Sequence, residues 1–255
     1  MKNYYFLACA FPPIRIGEKP EPGYESLKTM LSINLTDEDK LVLQDFLLYN
    51  DLQNLRCLWL NRPLYEIGNL SAGEIEDALQ TRSHFPDYVF DFLEYYGTAE
   101  ERLRNFAKLL TQFFANAMAS GRFFCNYFTF EKESKLVLCA LRAKDKQEDL
   151  GRQLQFEDPQ DPFVAYILAQ KDAENFEAPT EYEDLKRIYA ENKFSPIKLY
   201  RAYLQYRFDK INDMIEPLPF TMDYILGFLA QYMIVGGWSL QNTTIGQTAV
   251  QTLVE

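Results

Sequence analysis

The sequence predicts an all-α protein, and three observations support that prediction. Ser or Thr followed three residues later by Glu, the capping-box pattern of a helix N-terminus, recurs along the chain. Apolar residues between these sites recur at spacings of three and four, the period of a helix. Only 11 of the 255 residues are glycine, which disfavours a fold built from tight hairpins. We therefore expect a single helical domain over residues 1–255.

The first elements are a short apolar segment and two helices. "YYFLACAF" runs directly into Pro12-Pro13, which predicts a short N-terminal extended segment and then a proline-rich loop. "YESLKTMLSI" has a helical pattern. Thr36, with Asp39 three residues on, predicts the start of a long helix over residues 37–60. That helix stops before Arg62-Pro63.

The later helices are predicted from their start signals. Capping boxes predict three helix N-termini, and an N-cap followed by proline predicts two more. The boxes are Ser71 with Glu74, Thr98 with Glu101 and Thr180 with Glu183, and the proline starts are Asp161-Pro162 and Ser195-Pro196. The second box opens "AEERLRNFAKLLTQFFANAMAS", which we expect to be one helix.

Composition limits the classes of partner. Hydrophobic residues make up 47% and aromatic residues 15%, enough for a sizeable core. The net charge is −11, and both halves of the chain are acidic, so we expect no nucleic-acid partner. No stretch is long and apolar enough to predict membrane insertion. The four cysteines are scattered without metal-ligand spacing, which favours a reducing cytoplasm and predicts no bound metal.

The sequence offers few parts for catalysis. Its one histidine, His84, precedes Phe85-Pro86 and is typical of a turn. No nucleophile elbow, phosphate-binding loop or dinucleotide fingerprint is present. We therefore expect a protein that is not an enzyme, with no cofactor and no small-molecule substrate.

Two segments share a pattern that suggests duplication. "LRCLWLNRPLYEIG" (55–68) and "LCALRAKDKQEDLG" (138–151) align without gaps, and each ends in an aliphatic residue followed by glycine. The match favours repeated helical units, with bounds at about 24–120, 121–195 and 196–255.

The C-terminal region has almost no charge. Residues 217–254 carry a single charged side chain, Asp223, and include Gly236-Gly237-Trp238. The pattern fits a buried final helix, and it also fits a surface that a partner covers, because tryptophan is common at interface hot spots. Both interpretations stay open from the sequence alone.

The segment "DLQNLRCLWLNRPLYEIGNLSAGEIEDAL" (51–79) resembles a motif of the C subunit of V/A-type ATPases, called d in the eukaryotic enzyme. An acidic residue, Asn-(Ile/Leu)-(Lys/Arg), a helix end with arginine and a glycine loop make up that motif. The positions that match are Asp51, Asn54, Leu55, Arg56, Arg62, Gly68, Leu70 and Ser71. Residues 136–151 resemble the same unit with Val137 in place of the asparagine. The opening "NYYFLA" and the segment "PDYVFDFLEYY" also resemble a little-characterised bacterial family related to this subunit.

The resemblance implies a fold and a role. It implies repeated helical units arranged as a funnel, in which Asp51, Asn54, Arg56, Arg62 and Gly68 brace neighbouring helices. The protein would then be a non-catalytic central-stalk subunit in a bacterial, ion-transporting rotary ATPase, held at the cytoplasmic side of the membrane by protein contacts. Its partners would be the membrane rotor ring and the central shaft, with Trp59 and Trp238 as candidate interface residues. The alternatives are a helical adaptor of another assembly and an enzyme with an unrecognised site.

Overall fold

The computed structural model describes residues 3–117 and 122–254, and within them every side chain except those of residues 122 and 239–254. Helices are the only regular structure in these residues, so the all-α prediction is confirmed. In chain order the α-helices are α1 (Tyr5–Ala10), α2 (Tyr24–Asn34), α3 (Asp37–Trp59), α4 (Ala72–Thr81), α5 (Asp87–Tyr95), α6 (Ala99–Arg104), α7 (Phe106–Ala117), α8 (Arg122–Asp145), α9 (Leu150–Gln153), α10 (Pro162–Leu168), α11 (Glu183–Asn192), α12 (Pro196–Ile215) and α13 (Met222–Val254).

Most of the predicted helix starts are confirmed, because they depend on local hydrogen bonds. The Ser71–Glu74 and Thr98–Glu101 capping boxes both form. The Asp161 carboxylate accepts hydrogen bonds from two backbone N–H groups at the start of α10, where Pro162 is the first helical residue. At the start of α3 the Thr36 hydroxyl accepts from the Asp39 amide at 3.2 Å. Helix α3 ends at Trp59, one residue before the predicted end.

The predicted N-terminal extended segment is wrong, because residues 5–10 form helix α1. The Tyr4 amide donates to the Phe220 carbonyl at 2.6 Å, and Leu7 is buried on the inner face of the helix. An apolar run this short fits a strand or a helix equally well in sequence, so tertiary contacts decide between them.

The predicted helix after Thr98 is two helices, α6 and α7, with a break at Asn105. The Asn105 side-chain amide donates to the Glu101 carbonyl at 2.9 Å, and the Asn105 backbone has left the helical conformation with ψ near 11°. Asparagine side chains compete with the backbone for helix hydrogen bonds in this way.

The predicted capping box at Thr180 is also wrong. Residues Thr180–Tyr182 form a 3-10 helix, closed by the Tyr182 amide on the Pro179 carbonyl at 2.8 Å, and α11 begins after it at Glu183. Tyr182 is buried, and its hydroxyl donates to Glu133 at 2.7 Å. Tyr182 thus occupies the position before α11, where it makes no side-chain capping hydrogen bond.

The chain divides into two compact units. Unit 1 comprises Met1–Leu47, Tyr65–Ile67 and Tyr200–Glu255. Its α1 packs against α2 and α13. Helices α12 and α13 approach closely at Gly227, where a Cβ atom would lie 2.1 Å from Cγ2 of Ile215. The Gln231 side chain also bonds the Phe208 carbonyl at 3.2 Å across this helix pair. The glycine therefore permits a helix contact that no larger residue could make.

Unit 2 comprises Leu48–Leu64 and Gly68–Leu199. Helix α8 packs against α7, α9, α10 and α11. The rings of Phe113, Phe114 and Phe128 contact one another and the ring of Tyr49 on α3. The aromatic residues of this region therefore build a core.

Helices α3 and α8 end in the same local motif. Asn61 and Gln147 adopt left-handed conformations, with φ of 51° and 56°. The next residue in each case, Arg62 or Glu148, donates its amide to the carbonyl five residues back. The gap-free alignment of 55–68 with 138–151 sets Asn61 against Lys144, so the two left-handed residues fall three positions out of register. The duplication, the repeat bounds and the single domain stay predictions.

Among the described residues, no helix combines the length and apolar character that crossing a membrane requires.

Candidate functional site

A buried carboxylate on α3 holds the loop that leads into α4. Asp51 is 1% exposed. Its Oδ1 accepts from the backbone amides of Asn69 at 2.9 Å and Leu70 at 3.3 Å, and its Oδ2 accepts from the Asn69 side chain at 2.8 Å. We call Asp51 with residues 68–70 the Asp51 clasp. Because the capping box of α4 begins at the next residue, Ser71, the clasp joins α3 to the N-terminus of α4.

Gly68 is required by the closeness of this contact. A Cβ atom at residue 68 would lie 2.5 Å from Oδ1 of Asp51 and 3.6 Å from Nδ2 of Asn54. Real Cβ contacts are longer than the first of these distances, so a side chain at residue 68 would displace the carboxylate. The structure thus brings together three residues of the proposed bracing motif, Asp51, Asn54 and Gly68.

The position of these polar groups follows from the helix period. Residues 51 and 54 lie on one face of α3, because residues three apart are neighbours on a helix. Asn54 is fully buried, as are the apolar residues Leu52 and Leu55. This part of α3 is therefore enclosed on several sides, and the amide and carboxylate beside the apolar stripe form a buried polar patch.

Arg56 and Arg62 are placed differently, because both are exposed. The Arg56 guanidinium lies over the Phe106 ring, 5.5 Å from its centroid. Among the described side chains, neither arginine has a carboxylate within salt-bridge distance, and Arg56 donates to no carbonyl oxygen. Arg56 and Arg62 therefore lie at the exposed end of α3.

Arg102, which lies outside the predicted motif, bonds the end of α5. Its Nε donates to the Tyr96 carbonyl at 2.7 Å and its Nη2 to the Leu93 carbonyl at 3.0 Å, at the C-terminus of α5. A rigid guanidinium fork suits two helix-end carbonyls. The sequence offered one signal that could have identified it, an arginine in the short helix that follows α5.

The two tryptophans lie in different surroundings. Trp59 is half-buried, and its ring contacts Phe92 and Phe106, with the Arg102 guanidinium 5.9 Å from its centroid. Trp238 is 7% exposed and stacks on Tyr200 with centroids 5.9 Å apart. Trp238 thus presents little surface to a partner, and the side chains after it, 239–254, lie outside the described residues.

Electrostatics at the end of α3 reflect both arginines. Burial raises the pKa of the Cys57 thiol above its usual range, and the Arg56 and Arg62 guanidinium groups act in the opposite direction. Both positive charges therefore lie near the same thiol, so they converge on one end of the helix.

A second buried polar group on α8 was not anticipated from the sequence. Glu131 and Ser134 are both fully buried. Lys135 lies 3.1 Å from the Glu131 carboxylate and donates to the Tyr49 hydroxyl at 2.6 Å. The Glu-to-Lys spacing of four on a helix was a usable signal for the ion pair. Its contact with Tyr49 depends on how α3 lies against α8, which spacing alone does not give.

A third group surrounds Lys132, also on α8. Lys132 pairs with Asp161 at 2.6 Å. Burial raises the pKa of Asp161, but the hydrogen bond from Lys132 and the backbone amides at the start of α10 outweigh it, so the pKa is lowered overall. Burial raises the pKa values of Glu133 and Glu157. Lys132 is thus paired with Asp161, and its charge also acts on the two buried carboxyls, whose pKa values it lowers against the effect of burial.

These groups do not form a recognisable catalytic centre. His84 is exposed, in a left-handed turn with φ of 63°. Within the described residues no group of three or more His, Cys, Asp or Glu side chains is arranged to hold a metal ion. What the geometry provides is rigidity, through a helix, a loop and a second helix fastened by buried hydrogen bonds.

The fold and the site define an all-α protein in which the Asp51 clasp braces α3 against the start of α4. The family model described as "Protein of unknown function (DUF2764)" matches residues 1–255, so the chain belongs to that family. Its relatives include bacterial proteins that are each called only "Uncharacterized protein". The protein of Chlamydia muridarum is 29% identical over 92% of this chain and 91% of its own length. The proteins of Chlamydia trachomatis and Chlamydia pneumoniae are each 28% identical, over 92% and 98% of this chain and 91% and 97% of their own lengths. No solved structure matches.

The resemblance to the C (d) subunit family of V/A-type ATPases was therefore wrong as an assignment of family, because the matching family is a different one. The structure gives a physical reason for the misleading pattern. Asp51, Gly68 and the Ser71–Glu74 pair are each required by a local contact, the clasp or the capping box. A pattern that local contacts require does not by itself show ancestry.

Proposed function

We propose that this protein is a non-catalytic adaptor subunit, and that the assembly it serves is the central stalk of a rotary V/A-type ATPase or ATP synthase. In this proposal the protein links the membrane rotor ring to the central shaft at the cytoplasmic face of the membrane. The funnel arrangement of helices is part of the proposal. This role does not require the protein to belong to the C (d) subunit family.

The observation that supports it best is the Asp51 clasp. A subunit that transmits torque needs helices that cannot shift against their loops, and three hydrogen bonds to one buried carboxylate fasten α3 to the start of α4. A buried carboxylate is costly unless its hydrogen bonds are made, so the native arrangement is strongly favoured over a shifted one. Rigid packing of this kind suits a mechanical role and needs no reactive group.

Docking on a ring would rely on protein contacts. A net charge of −11 repels anionic lipid, and attraction to such lipid requires clusters of Lys and Arg. Complementary charges on the ring's cytoplasmic loops could instead steer the protein to it.

Co-sedimentation tests the proposal. We expect the purified protein to pellet with membranes that contain the rotor ring and to stay in solution with protein-free liposomes of the same lipids. Binding should weaken with added salt, because exposed charge pairs are screened over about 8–10 Å at physiological ionic strength. Equal binding to bare liposomes would contradict the protein-contact model. Binding to neither membrane would favour the alternative, an adaptor of another assembly.

A further inference from the structure

The exposed end of α3 carries two arginines, Arg56 and Arg62, that lie close together in the sequence. Arg82, Arg104 and Arg187 each lie beside a carboxylate of the same chain, at Glu94, Glu100 and Asp184. Arg56 and Arg62 have no such partner among the described side chains. Both guanidinium groups act electrostatically on the Cys57 thiol, so two positive charges lie near this end of the helix.

This surface has a defined geometry. Arg56 is held over the Phe106 ring, which limits the conformations of its long side chain. Trp59, half-buried one turn along the helix, packs against the same ring. An incoming group would therefore meet an arginine that is already ordered, so binding would lose less side-chain entropy than at a free surface arginine.

The nearby charges favour an anionic group there. The C-terminus of a helix carries about half a negative charge, which alone would repel an anion. The two guanidinium groups at the end of α3 outweigh it, and each can present a fork of N–H donors to a carboxylate. The net charge of −11 makes the acidic parts of the surface repel an acidic partner, so the end of α3 is favoured over them.

We infer that Arg56 and Arg62, together with Trp59, form a docking surface for a carboxylate-bearing segment of a partner protein. The inference rests on the proposed adaptor function and names the chemistry of its partner. A protein is favoured over nucleic acid, because two arginines are few for a phosphate backbone and the surrounding surface is acidic. Tryptophan and arginine are instead enriched at protein interface hot spots.

The test compares two double variants of equal charge. Arg56→Glu with Arg62→Glu removes the docking arginines, and Arg104→Glu with Arg187→Glu removes two exposed arginines elsewhere in the same unit. Each Arg→Glu change lowers the net charge by two, so both variants carry −15 in place of −11. The control changes break only exposed ion pairs, which contribute little stability. Circular dichroism checks that both variants keep their helices.

The first measurement is co-sedimentation with rotor-ring membranes. We expect the R56E/R62E variant to bind at least about tenfold more weakly than wild type, and the R104E/R187E variant to change by less than about twofold. The salt dependence of binding should flatten only in R56E/R62E. Equal losses in both variants would assign the effect to net charge, and no loss in R56E/R62E would leave wild-type docking intact while overturning the inference.

The second measurement separates the inference from the proposed function. A fluorescent helical peptide of Glu and Ala is titrated against the three proteins by anisotropy, with a Lys and Ala peptide as its opposite. We expect the acidic peptide to bind wild type and R104E/R187E and to lose binding to R56E/R62E. If wild type binds this peptide but not the membranes, the rotary assignment fails and the acidic-partner inference stands. If the acidic peptide does not bind, or if single-stranded DNA binds at the same arginines instead, the inference is overturned.

Discussion

At residue 68 the chain has room for a hydrogen atom and little more. Gly68→Ala would place a methyl group 2.5 Å from the Asp51 carboxylate, so either the loop or the carboxylate must move. We expect a loss of about 1–3 kcal/mol in the free energy of unfolding, measured by urea denaturation. Gly73→Ala is the matched control, because nothing lies within 4 Å of its Cβ position. That variant should change stability by less than about 1 kcal/mol. Equal effects of the two changes would show that the clasp is looser than the structure indicates.

The Glu157 carboxyl should make stability depend on pH. Burial raises the pKa of Glu157, while Lys132 lowers it and Asp161 raises it further. A raised folded-state pKa means that the stabilising contribution is complete below the unfolded pKa of about 4.3 and is lost as pH rises through the folded value. Glu157→Gln should therefore stabilise the protein at neutral pH, and the gain should vanish below about pH 4.

The control for this pH effect is Glu174→Gln, which removes an exposed carboxylate of the same charge. Thermal midpoints across a pH series compare the two variants with wild type. A constant gain for Glu157→Gln at every pH would contradict the assignment to ionisation.

At the scale of helices, Arg102 fastens the end of α5. Arg102→Met removes the donors to the Tyr96 and Leu93 carbonyls while keeping much of the apolar stem. We expect the free energy of unfolding to fall by about 1–3 kcal/mol and amide hydrogen exchange to become faster around residues 93–98. Arg104→Met, on the same helix, breaks only an exposed pair with Glu100 and should have little effect on either measurement. Slow exchange in Arg102→Met would mean that another contact holds the end of α5.

Helix starts could be predicted from sequence wherever a side chain bonds the backbone within three residues. The Ser71, Thr98 and Asp161 caps are of this kind. The predicted cap at Thr180 is wrong because the neighbouring Tyr182 is buried and bonds Glu133, which lies 49 positions away in the sequence. No local pattern indicates that contact. The predicted continuous helix through Asn105 is wrong because the Asn105 side chain donates a hydrogen bond to the Glu101 carbonyl.

The Asp51 clasp could be predicted only in part. The resemblance placed Asp51, Asn54 and Gly68 in one bracing motif, but the clasp joins residues 18 positions apart through a loop whose path no local pattern gives. The hydrogen bond between Lys135 and Tyr49, which are 86 positions apart, could not be predicted from local patterns for the same reason. Gly68 carried the strongest available signal, since a glycine before a capping box often marks a close approach of the backbone.

For the whole molecule, the net charge of −11 is the dominant electrostatic fact. Like charges repel more in the compact state than in the unfolded chain, and salt screens that repulsion. We expect the thermal midpoint to rise as NaCl increases from about 10 mM to about 150 mM, where the Debye length falls from about 30 Å to about 8 Å. The R104E/R187E variant, at −15, should show a steeper rise. A midpoint that falls with salt would mean that attractive ion pairs outweigh the repulsion.

The closeness of Gly68 to Asp51 also limits how this sequence can evolve. A larger residue at 68 becomes tolerable only after the carboxylate at 51 has been lost, and losing the carboxylate first leaves the Asn69 and Leu70 amides without their acceptor. Each substitution alone is therefore expected to lower stability more than both substitutions together. Substitutions at the two positions are therefore expected to arise together along a lineage, with the intermediate sequences counter-selected.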